Sequence, residues 1–311
     1  MRAGHFRGVA AVNEHYVVVL NGTAGSGRCA ARARDVLPRL REAGLSLDVR
    51  ETHAAGDGTR IARDAYAAGA RRFLAVGGDG TTYEVVNGLF PESEGRSDVT
   101  LGMLPLGTGN SFLRDFGIVD AEGAVTAILR GETRAVDVVR AEHTAGTLFY
   151  LNLLSVGFSA AVGALTNRRY KPFGQAGYAL AVVNSLARLA HPTFPLALDG
   201  ADAIDLRPCT LLSFSNSRCT GGTMQMAPDA DPTDGELDVI RVGSMGRREL
   251  LRTFPKIYEG KHLAHPAISS SRARRVRFAD PFPTDVMVDG EVLELTLREL
   301  RVLPSALRVI V

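Results

Sequence analysis

A chain of 311 residues with 45% hydrophobic content is long enough to bury a sizeable core and to divide into two domains. The 36 Lys and Arg against 34 Asp and Glu leave a net charge of +2, which argues against a nucleic-acid partner held by bulk charge. Cys29, Cys209 and Cys219 show no metal spacing and no even-numbered framework, no apolar run approaches the roughly 18–20 residues of a membrane span, and the patch Val9–Val12 is too brief for a signal-peptide core, so the expected setting is cytoplasmic.

In chain order, the strand-like run Tyr16–Leu20 leads into Asn21-Gly22-Thr23-Ala24-Gly25-Ser26-Gly27, which has neither the Walker order nor the dinucleotide fingerprint. A helix over Arg28–Ala43, a strand over Leu45–Glu51 ending at Thr52, and a helix over Thr59–Ala68 follow. The short apolar strand Phe73–Val76 then enters Gly77-Gly78-Asp79-Gly80-Thr81 and an amphipathic helix carrying Glu84 and Asn87. Glycines let a backbone approach a polyphosphate, and the unpaired N–H groups of a helix start favour anions. Asp79 would repel a bare phosphate, so it suggests a held magnesium ion or a proton to be accepted; the competing reading is a plain strand–turn–helix corner. A second strand, Thr100–Leu104, runs into Leu106-Gly107-Thr108-Gly109-Asn110 and an expected helix, for which Thr108 and Asn110 would also serve as N-caps. Two such turns at one end of neighbouring parallel strands face each other where open α/β sheets bind ligands. This alternation predicts a three-layer α/β domain over residues 10–134.

From residue 135 strands dominate: Ala135–Glu142, Thr147–Ser155, Phe194–Leu198, Thr210–Asn216, Leu237–Val242, Ser271–Phe278, Asp285–Val288 and Val292–Leu297. Helices are expected at Gln175–Leu189 and Arg247–Tyr258. Residues 135–304 are therefore read as a β-sandwich or partly closed barrel. Asp231, Asp234 and Glu236 form an acidic loop that could hold a hard cation or be a solvated turn. Asp289-Gly290-Glu291 carries the Asp-Gly hairpin signal, yet an acid at a tight turn can project into a cleft. The basic runs Arg168–Phe173 and Arg272–Arg277 are solvated faces or rests for anionic lipid.

The runs Gly77–Thr81 with Glu84 and Asn87, Leu104–Asn110, Gly221–Ala230, Asp234–Val239 and Val288–Glu291, in this order, resemble the diacylglycerol kinase catalytic-domain family, which includes bacterial lipid kinases and sphingosine kinases. The resemblance covers nearly the whole chain. It implies an ATP- and magnesium-dependent lipid kinase acting on a diacylglycerol-like or sphingoid-base hydroxyl, with peripheral membrane contact and a homodimer left open. It also implies that strand 305–311 returns to the nucleotide domain, and that the second, β-sandwich-like domain binds lipid. By the same resemblance Glu291 is the general base and Asp79 the second candidate, or the organiser of magnesium and phosphates. Asn21, Thr52, Gly77, Gly78, Asp79, Gly80, Thr81, Glu84, Gly107, Thr108 and Asn110 hold nucleotide; Asp234 is the side-chain ligand of a structural magnesium, to which Asp231 and Glu236 contribute more weakly through backbone oxygens. Two positions depart from the family pattern: Ser111 and Ser159 stand where many bacterial members have acids. A soluble-substrate kinase of the NAD kinase type and a non-catalytic lipid- or nucleotide-binding module are the alternatives.

Overall fold

Runs such as Val17-Val18-Val19 and Phe73-Leu74-Ala75-Val76 are apolar on both pleat faces, which suits a parallel strand covered by helices on either side. The computed structural model of the protein describes residues 14–170 and 174–311. Its first part alternates β1 (His15–Leu20), α1 (Cys29–Glu42), β2 (Ser46–Glu51), α2 (Asp57–Ala67), β3 (Arg72–Gly77), α3 (Asp79–Leu89), β4 (Thr100–Pro105) and α4 (Ala121–Arg130). The strands pair in parallel in the order β2-β1-β3-β4, and the helices pack in pairs, α2 on α3 and α1 on α4. Residues of these strands and helices form one buried cluster.

The rest of the chain is mostly strand: β5 (Thr133–His143), β6 (Gly146–Tyr150), β7 (Leu153–Gly157), then α5 (Phe158–Leu165) and α6 (Gly174–Ala187). There follow β8 (Leu196–Leu198), β9 (Cys209–Ser215), β10 (Cys219–Thr220), β11 (Met224–Gln225), β12 (Leu237–Gly243) and α7 (Arg247–Thr253). The chain closes with β13 (Ile268–Ala273), β14 (Arg275–Phe278), β15 (Thr284–Val288), β16 (Glu291–Leu295) and β17 (Leu297–Ile310). A six-stranded antiparallel sheet, β13-β12-β9-β7-β15-β16, faces the second half of the large sheet, and the two enclose a second apolar cluster, giving the C-terminal part its sandwich.

β17 joins the two parts. Its Arg308 and Val309 pair in parallel with Thr100 and Leu101 of β4, and most of its length runs antiparallel to β5. The parallel sheet and one layer of the sandwich are thus a single continuous sheet.

Four expected elements differ. The strand Thr147–Ser155 breaks at Leu151 and Asn152, whose N–H groups turn onto the Asp289 carboxylate. The run Ser271–Phe278 breaks at Arg274 because Asp199 Oδ1 accepts from the N–H groups of both Arg274 and Arg275, sending β13 and β14 into different sheets. The helix expected after Asn110 is a 3₁₀ turn, Phe112–Phe116, and the helix from Arg247 changes to 3₁₀ at Phe254. Helix α5 was not expected at all.

Candidate active site

Three glycine-bearing turns meet at the carboxyl ends of β1, β3 and β4. Asn21 N donates to Val76 O at 3.0 Å, and Gly107 N donates to Gly77 O at 2.7 Å. A Cβ on Gly107 would strike Gly78 Cα, and one on Gly25 would lie 2.7 Å from Leu106 O, so both glycines are demanded by backbone-to-backbone packing. Gly78 differs: an added Cβ would meet only ordinary contacts, so no protein neighbour requires a glycine there. Thr52 N donates to Leu20 O at 2.9 Å, which places Thr52 at the same end of β2.

The second turn is closed from within. Asn110 takes a left-handed conformation, φ 51°, and its Nδ2 donates to Gly107 O at 2.9 Å and to Pro105 O at 3.3 Å, leaving it no capping role. Thr108 stands exposed at the tip. In the first turn Thr81 packs against Gly77, and its Oγ1 is buried without a partner among the described residues. Glu84 lies elsewhere than its expected nucleotide role: Oε1 accepts from Gly56 N at 2.7 Å and Oε2 from Gly58 N at 2.9 Å, so both oxygens serve the start of α2. Asn87 clamps Phe149, accepting from its N–H at 2.9 Å and donating to its carbonyl at 2.8 Å, which fixes β6 on α3.

Asp79 opens α3. Its Oδ1 accepts from Ser111 N at 2.9 Å and its Oδ2 from Ser111 Oγ at 3.1 Å; the Ser111 hydroxyl in turn accepts from Gly222 N at 2.9 Å. One serine therefore ties the acid of the first turn to the tip of the β10–β11 hairpin across the cleft. Burial pushes the Asp79 carboxyl above its usual range, and the two Ser111 hydrogen bonds offset part of that rise. Asp79 as a residue is half-buried and lines a small cavity with Gly77, Gly78 and Asn110.

The turn between β15 and β16 serves both readings of Asp289-Gly290-Glu291. Asp289 and Gly290 have φ of 45° and 91°, the positive pair that a two-residue hairpin turn needs. The turn presents Glu291 to the first loop, where a Cβ on Gly80 would lie 2.8 Å from Glu291 Oε1. Asp289 points inward. Its Oδ2 accepts from Leu151 N at 2.9 Å, and its Oδ1 from Asn152 N at 3.0 Å and Leu153 N at 3.1 Å. Complete burial raises its pKa to about 7; the three N–H groups oppose the rise and the nearby Asp79 charge adds to it. Tyr83 of α3 feels the same group, its hydroxyl pKa raised first by burial and then by the charges of Asp289, Glu291 and Glu84. Asp289, Ser111 and Gly222 were missed as site residues; the left-handed conformation that Asp-Gly turns require was the one signal present for Asp289.

The three carboxylates of the loop expected to hold magnesium do not converge. Among the described residues no three His, Cys, Asp or Glu groups converge as metal ligands. Asp231 Oδ1 accepts from Thr233 N and Oγ1, Asp234 Oδ1 accepts from Glu236 N, and Arg272 lies 3.2 Å from Asp234 Oδ2 and 3.8 Å from Glu236 Oε2. A guanidinium pairs with the carboxylate expected to hold the cation, so these side chains are committed to ion pairs rather than to a metal.

Behind the β10–β11 hairpin lies an apolar groove with a cavity volume of about 160 Å³, walled by Val162 of α5, Leu186 of α6, Met224, Leu250, Ile257 and Met287. Thr220 and Met224 of the hairpin line it, while Gly222 at the same hairpin's tip reaches Ser111. The acid site and the groove are thus two ends of one connection.

Two family models cover the chain: the diacylglycerol kinase catalytic domain matches residues 15–141, and the YegS C-terminal NAD kinase beta sandwich-like domain matches residues 152–311. A diacylglycerol kinase of Mycobacterium tuberculosis is 30% identical over 293 residues, 93% of each chain. A probable lipid kinase YegS-like of Pseudomonas aeruginosa is 32% identical over 295 residues, 94% of this chain and 93% of that one. The fold is shared with a diacylglycerol kinase crystal structure from Bacillus anthracis, with a TM-score of 0.68 at 21% identity over 96% of both chains.

Proposed function

The chain belongs to the diacylglycerol kinase catalytic-domain family, and on that premise we propose that it is an ATP-dependent lipid kinase that phosphorylates a hydroxyl of a diacylglycerol-like or sphingoid-base lipid. The observation that carries the reading is the β10–β11 hairpin, which joins a desolvated acid site at its tip to an apolar groove at its base. A hydroxyl-bearing head at the acids with hydrocarbon in the groove matches both ends.

The residues divide the work. The turns Gly77–Thr81 and Gly107–Asn110, with Asn21 and Thr52 beside them, would hold the nucleotide: Gly78 leaves its backbone approachable, and the Thr81 hydroxyl is buried without a partner. When bound, magnesium nucleotide supplies the phosphoryl group and neutralises its charge. Asp79, held by Ser111, would orient that charge, and Glu291, beside Gly80, would take the proton from the attacking hydroxyl. Asp289 touches neither reactant; it locks the turn that presents Glu291. Ser111 fills its position with three hydrogen bonds, which supports a working site despite the missing acid.

ATP turnover measured on a panel of lipids in mixed micelles, set beside NAD, tests the proposal. Phosphorylated lipid is expected. Phosphorylated NAD alone would make it a soluble-substrate kinase, and nucleotide or lipid binding without turnover a non-catalytic module.

A further inference from the structure

We propose that the edge formed by α6 and the segment 247–261 docks on an anionic bilayer, feeding lipid chains directly into the apolar groove. The delivery step rests on the lipid-kinase reading; the docking does not.

Leu180 and Val183 of α6 are 51% and 65% exposed, and Leu251, Phe254 and Tyr258 are 54%, 42% and 50% exposed. These side chains belong to the two elements that wall the groove, through Val182 and Leu186 on one side and Leu250, Phe254 and Ile257 on the other. Arg247 binds the two elements together, donating to Ala187 O at 2.6 Å. The exposed apolar side chains thus lie along the rim of the apolar groove, where water contacts hydrocarbon. An unpartnered rim of this kind is an interaction surface rather than scattered exposure.

Charge selects the occupant. Residues 247–261 carry Arg247, Arg248, Arg252, Lys256 and Lys261 against Glu249 and Glu259. Lys261 pairs with Glu259 and His265 with Glu249, while Arg248, Arg252 and Lys256 are exposed and pair with no carboxylate among the described residues. A second copy would set these cations against their own kind, whereas an anionic bilayer offers both hydrocarbon for the apolar rim and charge for the basic fringe. The basic runs singled out from the sequence are differently placed. Arg272 and Arg274 face Asp234 and Glu236, Arg275 pairs with Glu299, and Arg168 lies 3.1 Å from Asp285. Lys171, Pro172 and Phe173 lie outside the described residues.

Vesicle co-sedimentation without nucleotide tests this, with phosphatidylcholine vesicles against the same vesicles containing phosphatidylglycerol. Binding should require the anionic lipid and weaken with salt. Val183→Ser/Tyr258→Ser alters rim residues outside the groove lining and should weaken binding about tenfold or more. Arg248→Glu/Arg252→Glu/Lys256→Glu should weaken it about fivefold for each charge removed, and Arg274→Glu should leave it unchanged. All variants keep their melting temperature and their turnover of a dispersed short-chain lipid. Binding that ignores lipid charge, or that survives both sets of substitutions, overturns the docking face. So does a concentration-dependent dimer that Val183→Ser/Tyr258→Ser dissolves. Failure of ATP turnover with vesicle binding intact would sink the kinase reading instead.

Discussion

Two acidic turns in this protein contain similar residues and end in opposite environments. In the loop Asp231–Glu236 the carboxylates are solvated and face Arg272 and Arg274. Around the cleft Asp79 and Asp289 pair with no cation among the described residues, and burial raises both above the usual carboxylate range. The first arrangement is what a surface uses to hold a loop in register, and it contributes little energy. The second costs free energy that the fold offsets elsewhere, and such groups mark sites where charge must be handled. Burial without a cationic partner is therefore what sets Asp79 and Asp289 apart from the acids of that loop.

The largest expected effects lie in Glu291 and Asp79, the two acids given roles at the cleft. Glu291→Gln keeps shape but cannot take a proton, so ATP affinity should stay near the parent's while single-turnover rate falls about 10²–10⁴-fold. Asp79→Asn should weaken magnesium-dependent nucleotide binding as well as turnover. The opposite pattern, with binding lost in Glu291→Gln and only chemistry lost in Asp79→Asn, reverses the two assignments.

Asp289→Ala strips the acceptor from three backbone N–H groups and should cost about 3–5 kcal/mol in urea unfolding. Asn tolerates the left-handed backbone, so Asp289→Asn should fold with a smaller loss. The pH dependence has a definite sign. Because the folded carboxyl titrates near 7 and the unfolded one near its ordinary value, the folded state holds the extra proton between them. Asp289's favourable contribution is then complete below about pH 4 and is lost as pH rises towards 7. Asp289→Asn should flatten that part of the stability profile; an unchanged profile would remove Asp289 as its cause.

Ser111→Ala removes the hydroxyl that joins Asp79 to Gly222 and should lower stability by about 1–2 kcal/mol. If Ser111 positions Asp79, the acid limb of the turnover profile should also move to higher pH, a shift that mere loss of stability would not produce.

The smallest effect is expected at the solvated loop. Arg272→Ala should cost about 0.5–1 kcal/mol, and magnesium should shift melting equally in the parent and in Asp234→Ala. A magnesium shift present in the parent and absent in Asp234→Ala would restore the metal site and erase the contrast between the two turns.

The sequence by itself determined the fold class and much of the site's framework. Alternating apolar runs and glycine turns specify β1 to β4 and their loops, because period and turn chemistry are local properties. Asp79 and Glu291 were visible for the same reason: each sits in a turn whose glycines mark it. Only the tertiary structure decided what the acids do. Glu84 proved to serve α2 across 26 residues, and Arg272 reached Asp234 across a sheet pairing. Asp289 gathered N–H groups from more than 130 residues away. Nothing at a single position signals such partners, since a carboxylate's charge state is set by whatever burial and hydrogen bonds the fold brings to it. The rim of α6 and α7 was hidden likewise, because whether an apolar side chain is core or surface depends on what packs over it, and nothing in the described chain packs over these.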